Sequence, residues 1–153
     1  MQIQSPATPL ATYRLQFHKG FTFDDATAIV PYLAELGVSH LYASPYLKAR
    51  PESTHGYDIT DHNEINPEIG TAESFATLCA TLAAHGMGQI LDFVPNHVGI
   101  FGADNRWFLD VLTWGEDSPV AEFFDIDWRP AKPELHGKLL VPLLGDSYGT
   151  ILS

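Results

Sequence analysis

Apolar and amphipathic segments alternate along the N-terminal part of the chain. Residues 11–17 alternate in part between apolar and polar side chains, residues 38–43 form a short apolar stretch, and residues 90–94 form an apolar run with one carboxylate. Period-two alternation and short apolar runs are both typical of strands. The run at residues 90–94 also has the pattern of a strand that is buried on both faces. We therefore predict three strands, of which the third is buried.

The first amphipathic segment predicts a helix that begins after Thr22. Thr22 and Asp25 have the spacing of a capping box, in which each side chain accepts a hydrogen bond from the other residue's backbone N–H. Gly37 is placed to end the helix, and Pro31 is expected to kink it because proline lacks the backbone N–H. The predicted buried stripe consists of Ala26, Ile29, Val30, Leu33 and Leu36.

The second amphipathic segment predicts a helix that opens at Thr71 and ends at Gly86. Its apolar side chains recur at i, i+3, i+4 and i+7, which is a helical stripe; they are Phe75, Leu78, Cys79 and Leu82. In this interpretation Cys79 is a small core residue and not a reactive thiol. A loop of about 25 residues is expected before this helix, and loops of that length are uncommon and usually functional.

The order of strand, helix, strand, helix and strand predicts an α/β fold. Such alternation implies parallel strands that are joined by right-handed crossovers. The sequence contains neither a Gly-x-Gly-x-x-Gly segment after the first strand nor a Gly-Lys-Ser/Thr phosphate loop. Nucleotide-binding versions of this layout are therefore disfavoured.

The hydrophobic pattern becomes irregular after His97. Residues 105–114 predict a short helix and residues 138–144 predict a strand. Long regular elements are excluded by prolines, namely Pro119, Pro130, Pro133 and Pro142. We expect residues 98–153 to form an irregular excursion from the third strand. Its tryptophans are interpreted as core residues in preference to sugar-stacking platforms; they are Trp107, Trp114 and Trp128.

Composition narrows the possible partners. The chain has 153 residues, enough for one domain, and its net charge is -11 from 8 basic and 19 acidic residues. That charge argues against binding nucleic acid or an anionic membrane surface. No apolar stretch approaches the roughly 18 residues of a membrane span. The first residues lack the pattern of a secretory signal, and the single cysteine excludes an internal disulfide, so the cytoplasm is the expected compartment.

Candidate chemistry is concentrated around the third strand. Pro95 cannot donate to a sheet and is expected to end the strand there. Asp92, Asn96 and His97 would then lie near the carboxyl end of a parallel strand, where α/β folds keep their sites. A carboxylate within an apolar strand is costly unless it is hydrogen-bonded or paired. The residues alone support two interpretations of Asp92 equally, a structural carboxylate held by backbone and arginine, or a functional one.

Several motifs resemble one enzyme family. In order and spacing, three segments resemble the α-amylase superfamily of glycoside hydrolases: Gly56–Asp58 (Gly-Tyr-Asp), Pro67–Thr71 (Pro-Glu-Ile-Gly-Thr) and Asp92–His97 (Asp-Phe-Val-Pro-Asn-His). Five further segments are similar to the N-terminal part of one branch of that superfamily, the maltooligosyl trehalose synthases. They are Tyr13–Gln16, His55–Asp58, Asp117–Ser118, Phe124–Trp128 and Leu143–Gly145.

The resemblance implies a specific architecture. The family fold is an eight-stranded (β/α)8 TIM barrel with an inserted domain B after the third strand. Residues 1–97 would form about three β/α units of a truncated barrel, and residues 98–153 would begin the irregular domain B insert. A whole barrel needs about 250 residues, so we expect the 153-residue chain to be a fragment.

The resemblance also implies an activity. The reducing-end α-1,4 bond of a maltooligosaccharide would be isomerised to an α,α-1,1 bond, which leaves a trehalose end, by intramolecular transglycosylation. The partner would be a maltooligosaccharide or α-glucan, and no organic cofactor is expected. Two alternatives stay open: a fragment of an α-glucan hydrolase or 4-α-glucanotransferase of the same superfamily, and a non-catalytic carbohydrate-binding half-barrel.

Residue roles follow from the same resemblance. Tyr57 resembles the aromatic platform under the sugar at the cleaved bond, and His97 resembles the histidine that binds hydroxyls of that sugar. Asp92 resembles a supporting aspartate that holds the catalytic arginine and nucleophile in place. Asp58 and His55 are further substrate-binding candidates, although Tyr57 and Asp58 could only shape a turn and His55 could be a solvated loop residue.

Two features found in many members of the family are not found in the sequence pattern. Asn96, also a substrate-binding candidate, matches a calcium ligand of many amylases, but calcium takes six to eight oxygen ligands and no such set can be assembled around it. The nucleophile and general acid follow strands four and five in the family, so neither is expected here. We therefore expect the isolated chain to be inactive, and its open apolar strand edges to favour aggregation.

Overall fold

The computed structural model describes residues 8–141 and 145–151. They belong to two compact units, Met1–Asn105 and Arg106–Ser153. The first unit contains β1 (Thr12–Leu15), α1 (Phe23–Glu35), β2 (His40–Ala43), β3 (Leu47–Ala49), β4 (Ile59–Ile65), α2 (Ala72–Ala84) and β5 (Gly88–Leu91). The second contains α3 (Arg106–Trp114), α4 (Tyr148–Ile151) and three single 3₁₀ turns. None of the helices in the described residues combines the length and hydropathy of a membrane span.

Three parallel strands form the main sheet of the first unit. β2 lies in the centre, with β1 on one side and β5 on the other. In the shared register Arg14 is opposite Tyr42, and Tyr42 is opposite Ile90. The predicted α/β order of parallel strands is therefore confirmed.

Only one face of this sheet packs against the two helices. Leu15, Leu41 and Ala43 point to the helices and are buried. They share one core with the helix residues Val30, Leu33, Leu78 and Leu82. Because side chains alternate along a strand, the opposite face receives Arg14 from β1, Tyr42 from β2 and Ile90 from β5.

A cluster of aromatic rings closes the core where the strands end. Tyr46, just after β2, makes edge-to-face contacts with Phe17, Phe23 and Phe75 at centroid distances of 5.1, 4.9 and 5.6 Å. Such tilted pairs are the favoured geometry for aromatic rings. Burial raises the pKa of the Tyr46 phenol. The cluster thus ties the segments after β1 and β2 to both helices.

Both helix starts agree with the sequence prediction. The hydroxyl of Thr22 accepts from the N–H of Asp25, and the Asp25 carboxylate accepts from the N–H of Thr22. These hydrogen bonds lower the pKa of Asp25. Thr71 forms a second capping box, with Ser74 as its partner.

The end of α1 departs from the predicted stripe. The helix runs to Glu35 and contains Pro31 in its interior. Leu36, predicted to be buried, is the C-cap residue and is 56% exposed. Gly37 follows with a φ of 88°, the left-handed conformation that glycine adopts at helix ends.

The third parallel strand is shorter and more exposed than predicted. It ends at Leu91, not near Pro95, with one further hydrogen bond from the N–H of Asp92 to the carbonyl of Ala43. Its partner β2 ends at Ala43, so the residues after Asp92 have no strand residues of β2 to pair with. Leu91 is 46% exposed because β5 is an edge strand of the described sheet. The prediction of a fully buried strand is therefore wrong.

The predicted structureless loop between β2 and α2 contains a β-ribbon. β3 and β4 pair in antiparallel fashion with two register irregularities. β4 reads Ile-Thr-Asp-His-Asn-Glu-Ile, and this polar composition conceals a strand from a hydrophobic-pattern search. The prediction of an irregular loop is wrong for these two segments.

The second unit is mostly irregular, as predicted. The helix expected at residues 105–114 is confirmed as α3. The strand expected at residues 138–144 is absent at 138–141, and residues 142–144 lie outside the described residues. Trp107 and Trp114 are 47% and 63% exposed, so the prediction that they are core residues is wrong.

The capping box of α2 predicts a measurable local stability. Thr71→Ala removes the hydroxyl that accepts from the N–H of Ser74 at 3.2 Å. The loss of an N-cap side chain costs about 1 kcal/mol, so amides in the first turn of α2 should exchange with solvent about fivefold faster. Thr77→Ala, in the middle of α2, is the matched control and should leave these rates unchanged. Equal exchange in both variants would contradict the capping role.

Candidate functional site

The candidate site lies at the carboxyl ends of the parallel strands, on the face away from the helices. Arg14 and Tyr42 reach it from β1 and β2. Asp92 follows Ile90 by two residues, so it projects from the same face. Tyr57 reaches the same place from the connection between β3 and β4.

The Asp92 carboxylate accepts two phenolic hydrogen bonds. The hydroxyl of Tyr57 donates to Oδ2 at 2.5 Å, and the hydroxyl of Tyr42 donates to the same oxygen at 3.2 Å. These contacts supply the hydrogen bonds that a half-buried carboxylate requires. The described side-chain partners are thus phenols, and not the arginine of the structural interpretation given above.

Arg14 holds the other side of the Tyr57 hydroxyl. Its Nη2 donates to Tyr57 Oη at 2.9 Å, and its Nη1 donates to Oε1 of Gln16 at 2.7 Å. The hydrogen bond to Tyr57 is the main cause that raises the pKa of Arg14. Asp92 raises the pKa of Tyr57, burial adds to this, and Arg14 acts in the opposite direction.

A tight turn presents Tyr57 to Asp92. Gly56 has a φ of 75°, and a β-carbon there would lie 3.0 Å from the carbonyl oxygen of Pro45, so only glycine fits without strain. Ser53 donates to Asp58 Oδ1 at 2.5 Å and accepts from the N–H of Gly56 at 3.1 Å. One oxygen of Asp58 is therefore engaged within the turn.

Two histidines bracket Tyr57. Nδ1 of His55 accepts from the backbone N–H of Tyr57 at 3.0 Å, and the two rings stack with centroids 6.0 Å apart. Nε2 of His97 lies 3.1 Å from the backbone carbonyl oxygen of Tyr57, and its Nδ1 lies 2.9 Å from Oδ1 of Asn96. Both oxygens are acceptors, and a neutral imidazole donates to one of them. The ring of His97 therefore lies between Asn96 and the backbone of Tyr57.

These side chains surround a small cavity of about 300 Å³. It is lined by Arg50, His55, Tyr57, Asp58, His97, Val98, Gly99, Ile100 and Phe101. The N–H of Gly99 donates to the carbonyl of Ile59 on β4 at 2.7 Å, which fixes the segment after His97. Four of the six predicted site residues line this cavity. The other two, Asn96 and Asp92, lie outside the lining and contact His97 and Tyr57, respectively.

Histidine, cysteine and carboxylate side chains are not clustered in the described residues. No group of three or more histidine, cysteine or carboxylate side chains comes together among them. Oδ1 of Asn96, the oxygen that would serve as a calcium ligand, lies 2.9 Å from Nδ1 of His97. No chemical step is therefore assigned to a metal.

Three residues of the network were not predicted as site residues: Arg14, Gln16 and Tyr42. Arg14 is the polar position between Tyr13 and Leu15 near the carboxyl end of β1, and Gln16 continues the same alternation just after the strand. That alternation was a usable signal. Tyr42, within a short apolar stretch, carries no such signal, because its role depends on the register between β2 and β5.

Comparison with known proteins adds three findings. The model of the α-amylase catalytic domain matches residues 23–149. A Mycobacterium tuberculosis (strain H37Rv) protein that carries the name maltooligosyl trehalose synthase is 47% identical over 142 residues, which are 89% of this chain and 18% of that protein. Maltogenic α-amylase of Bacillus acidopullulyticus is 37% identical over 97 residues, which are 63% of this chain and 16% of that enzyme.

A solved structure agrees with the sequence matches. Maltooligosyltrehalose synthase from Arthrobacter ramosus superposes with a TM-score of 0.77 and 47% identity, over 78% of this chain and 16% of that chain. The present chain thus spans less than a fifth of the length of the relatives it matches best among these.

The Asp92–Tyr57 contact predicts a titration that can be observed directly. Because Asp92 is the main cause of the raised pKa of Tyr57, Asp92→Asn should lower it towards the ordinary value of about 10. The stabilisation from this contact is complete below that ordinary pKa and is lost as pH rises through the raised one, since a phenolate cannot donate to Asp92. Nuclear magnetic resonance of ¹³C-labelled tyrosine, assigned with Tyr57→Phe, measures the shift. An unchanged titration in Asp92→Asn would refute the contact.

Proposed function

Because the chain belongs to the α-amylase family of glycoside hydrolases, we propose that it forms the N-terminal part of the catalytic domain of a maltooligosyl trehalose synthase. The observation that carries the proposal is the 47% identity to a synthase along 89% of the chain. The match extends to the fold, with a TM-score of 0.77 to a solved synthase. Identity to the maltogenic α-amylase is lower, at 37%, and covers less of the chain.

In the proposed architecture, the three parallel strands β1, β2 and β5 are the first three strands of a (β/α)8 barrel. Their order along the sheet follows their order along the chain, as neighbouring barrel strands require. The irregular segment that begins at residue 98 is proposed to start the domain B insert. The loss of regular β/α alternation in the second unit supports this assignment.

The proposed reaction is an intramolecular transglycosylation on a maltooligosaccharide. The α-1,4 bond at the reducing end is broken, and the released glucose turns so that its anomeric hydroxyl attacks the glycosyl group held by the enzyme. An α,α-1,1 bond forms, and no net water is consumed. The enzyme is therefore an isomerase, whereas a hydrolase of the same family would transfer the glycosyl group to water.

Residue roles in this proposal follow from the geometry of the network. The ring of Tyr57 lines the cavity and is proposed to stack under the sugar at the cleaved bond. His97 also lines it, and is proposed to bind hydroxyls of that sugar, with Asn96 to orient it. His55 and Asp58 are proposed to support the same ring. Asp92 accepts two O–H hydrogen bonds, so it is proposed to be a supporting carboxylate and not the general acid.

Product analysis of the complete protein encoded by the gene tests the reaction. With maltopentaose, we expect non-reducing products that carry an α,α-1,1 linkage, detected by the anomeric proton signals, and little new reducing sugar. A rise in reducing ends would favour the hydrolase alternative, and longer oligosaccharides would favour the 4-α-glucanotransferase. Complete absence of turnover would favour the carbohydrate-binding alternative.

The 153-residue chain by itself is proposed to be inactive. Retaining glycoside chemistry needs two carboxyl groups about 5 Å apart, and Asp58 is the one carboxylate among the described residues that line the cavity. That carboxylate is also engaged with Ser53. We expect no product from maltopentaose with the purified 153-residue chain under conditions in which the complete protein is active. Any turnover above a Tyr57→Ala control would contradict this expectation.

A further inference from the structure

The Tyr-Arg-Leu-Gln segment at residues 13–16 is part of the family resemblance, but the roles proposed above do not use it. We infer that Arg14 and Gln16 are positioning residues that hold the Tyr57 hydroxyl against Asp92 and anchor the turn that carries Tyr57. This inference rests on the proposed function, because it concerns the ring on which the sugar is proposed to stack.

The position of Arg14 is determined by the sheet and not by the turn. Arg14 is opposite Tyr42 in the β1–β2 register, and its guanidinium carbon lies 5.6 Å from the centroid of the Tyr42 ring. That separation is within the range of a cation–π contact. The backbone of β1 and the ring of Tyr42 thus place the guanidinium before it meets Tyr57.

The planar guanidinium of Arg14 donates two hydrogen bonds in different directions. Nη1 donates to Gln16 Oε1 at 2.7 Å, and Nη2 donates to Tyr57 Oη at 2.9 Å. A guanidinium has donors in a fixed fork, whereas a lysine ammonium is a point charge on a flexible stem. The double contact therefore requires arginine.

Arg14 also decides the direction of the Tyr57 proton. Arginine has donors and no acceptor, so the phenolic oxygen must accept from it. The single phenolic proton is then available to the other neighbour, which is Asp92 Oδ2 at 2.5 Å. Without Arg14 the O–H would lose this constraint, and the ring would be held from one side only.

Gln16 connects the same guanidinium to the backbone of the turn. Its Oε1 accepts from Arg14, and its Nε2 donates to the carbonyl of His55 at 2.9 Å, with the carbonyl of Thr54 at 3.4 Å. The two carbonyls immediately precede Gly56 and Tyr57 in the chain. Arg14 of β1 and Gln16, which directly follows the strand, therefore hold both the hydroxyl of Tyr57 and the backbone that leads to it.

The titration of Tyr57 separates positioning from general loosening. Arg14 lowers the pKa of Tyr57 while Asp92 raises it. In the complete protein, Arg14→Met should therefore raise this pKa above the wild-type value, and Asp92→Asn should lower it. If Arg14→Met only loosened the turn, the pKa of Tyr57 would fall towards about 10, as it should in Asp92→Asn. A fall of this pKa in Arg14→Met would therefore overturn the inference.

Steady-state kinetics with maltopentaose provide the second readout. A misplaced reacting group costs up to about a hundredfold in rate, so we expect kcat to fall about tenfold or more in Arg14→Met. KM should change less, because Arg14 acts through Tyr57 and does not itself line the cavity. Arg14→Lys keeps a long stem and the positive charge but not the fork of donors. In this variant the pKa of Tyr57 should return from its value in Arg14→Met towards the wild-type value, whereas kcat should stay low. Full recovery of kcat by lysine would overturn the role of the fork.

Arg129→Met is the matched control. Arg129 is an exposed arginine of the second unit whose Nη2 lies 3.5 Å from Glu116, and its loss should leave both readouts at wild-type values. Reducing sugar as the wild-type product would refute the proposed function, yet the effect of Arg14→Met on Tyr57 could still be measured. Conversely, wild-type kcat and titration in Arg14→Met would refute the positioning role even with synthase activity confirmed.

Discussion

The hydrogen bond between the Tyr57 phenol and the Asp92 carboxylate is the contact on which the candidate site depends. Asp92 lies at the end of an edge strand, half-buried, where a carboxylate without donors would be costly. Two phenols meet that requirement. Because Tyr57 comes from the β3–β4 connection, the same bond joins that connection to the parallel sheet, and the cavity wall around Tyr57 depends on it.

The register of the sheet brings this contact about. Arg14, Tyr42 and Ile90 are aligned across three parallel strands, so one face carries a cation, a phenol and, two residues after Ile90, a carboxylate. The other face carries mostly apolar side chains and packs on the helices. Period-two alternation thus produces a folded core and a polar site from the same twelve strand residues of β1, β2 and β5.

Local signals in the sequence predicted the elements that depend on local chemistry. The Thr22–Asp25 capping box, the glycine after α1 and the order of strands and helices are all encoded within a few residues of where they act. The β3–β4 ribbon was missed because its strands are polar and irregularly paired. Leu91 was predicted buried because an apolar run does not reveal which strand lies at an edge. The alternation around Arg14 is visible in the sequence, but its partner Tyr57 lies 43 residues away and no local signal identifies it.

The arrangement of arginine, phenol and carboxylate differs physically from a direct ion pair. A guanidinium can engage both oxygens of a carboxylate, which would occupy a site on each oxygen of Asp92. Here the phenol of Tyr57 stands between Arg14 and Asp92, and both described side-chain hydrogen bonds to Asp92 fall on Oδ2. A carboxylate has about four lone-pair sites, so Oδ1 keeps its capacity for a donor from outside the described residues. This spare capacity is what the proposed supporting role requires, since a carboxylate that holds a catalytic arginine in place must have an oxygen available to it.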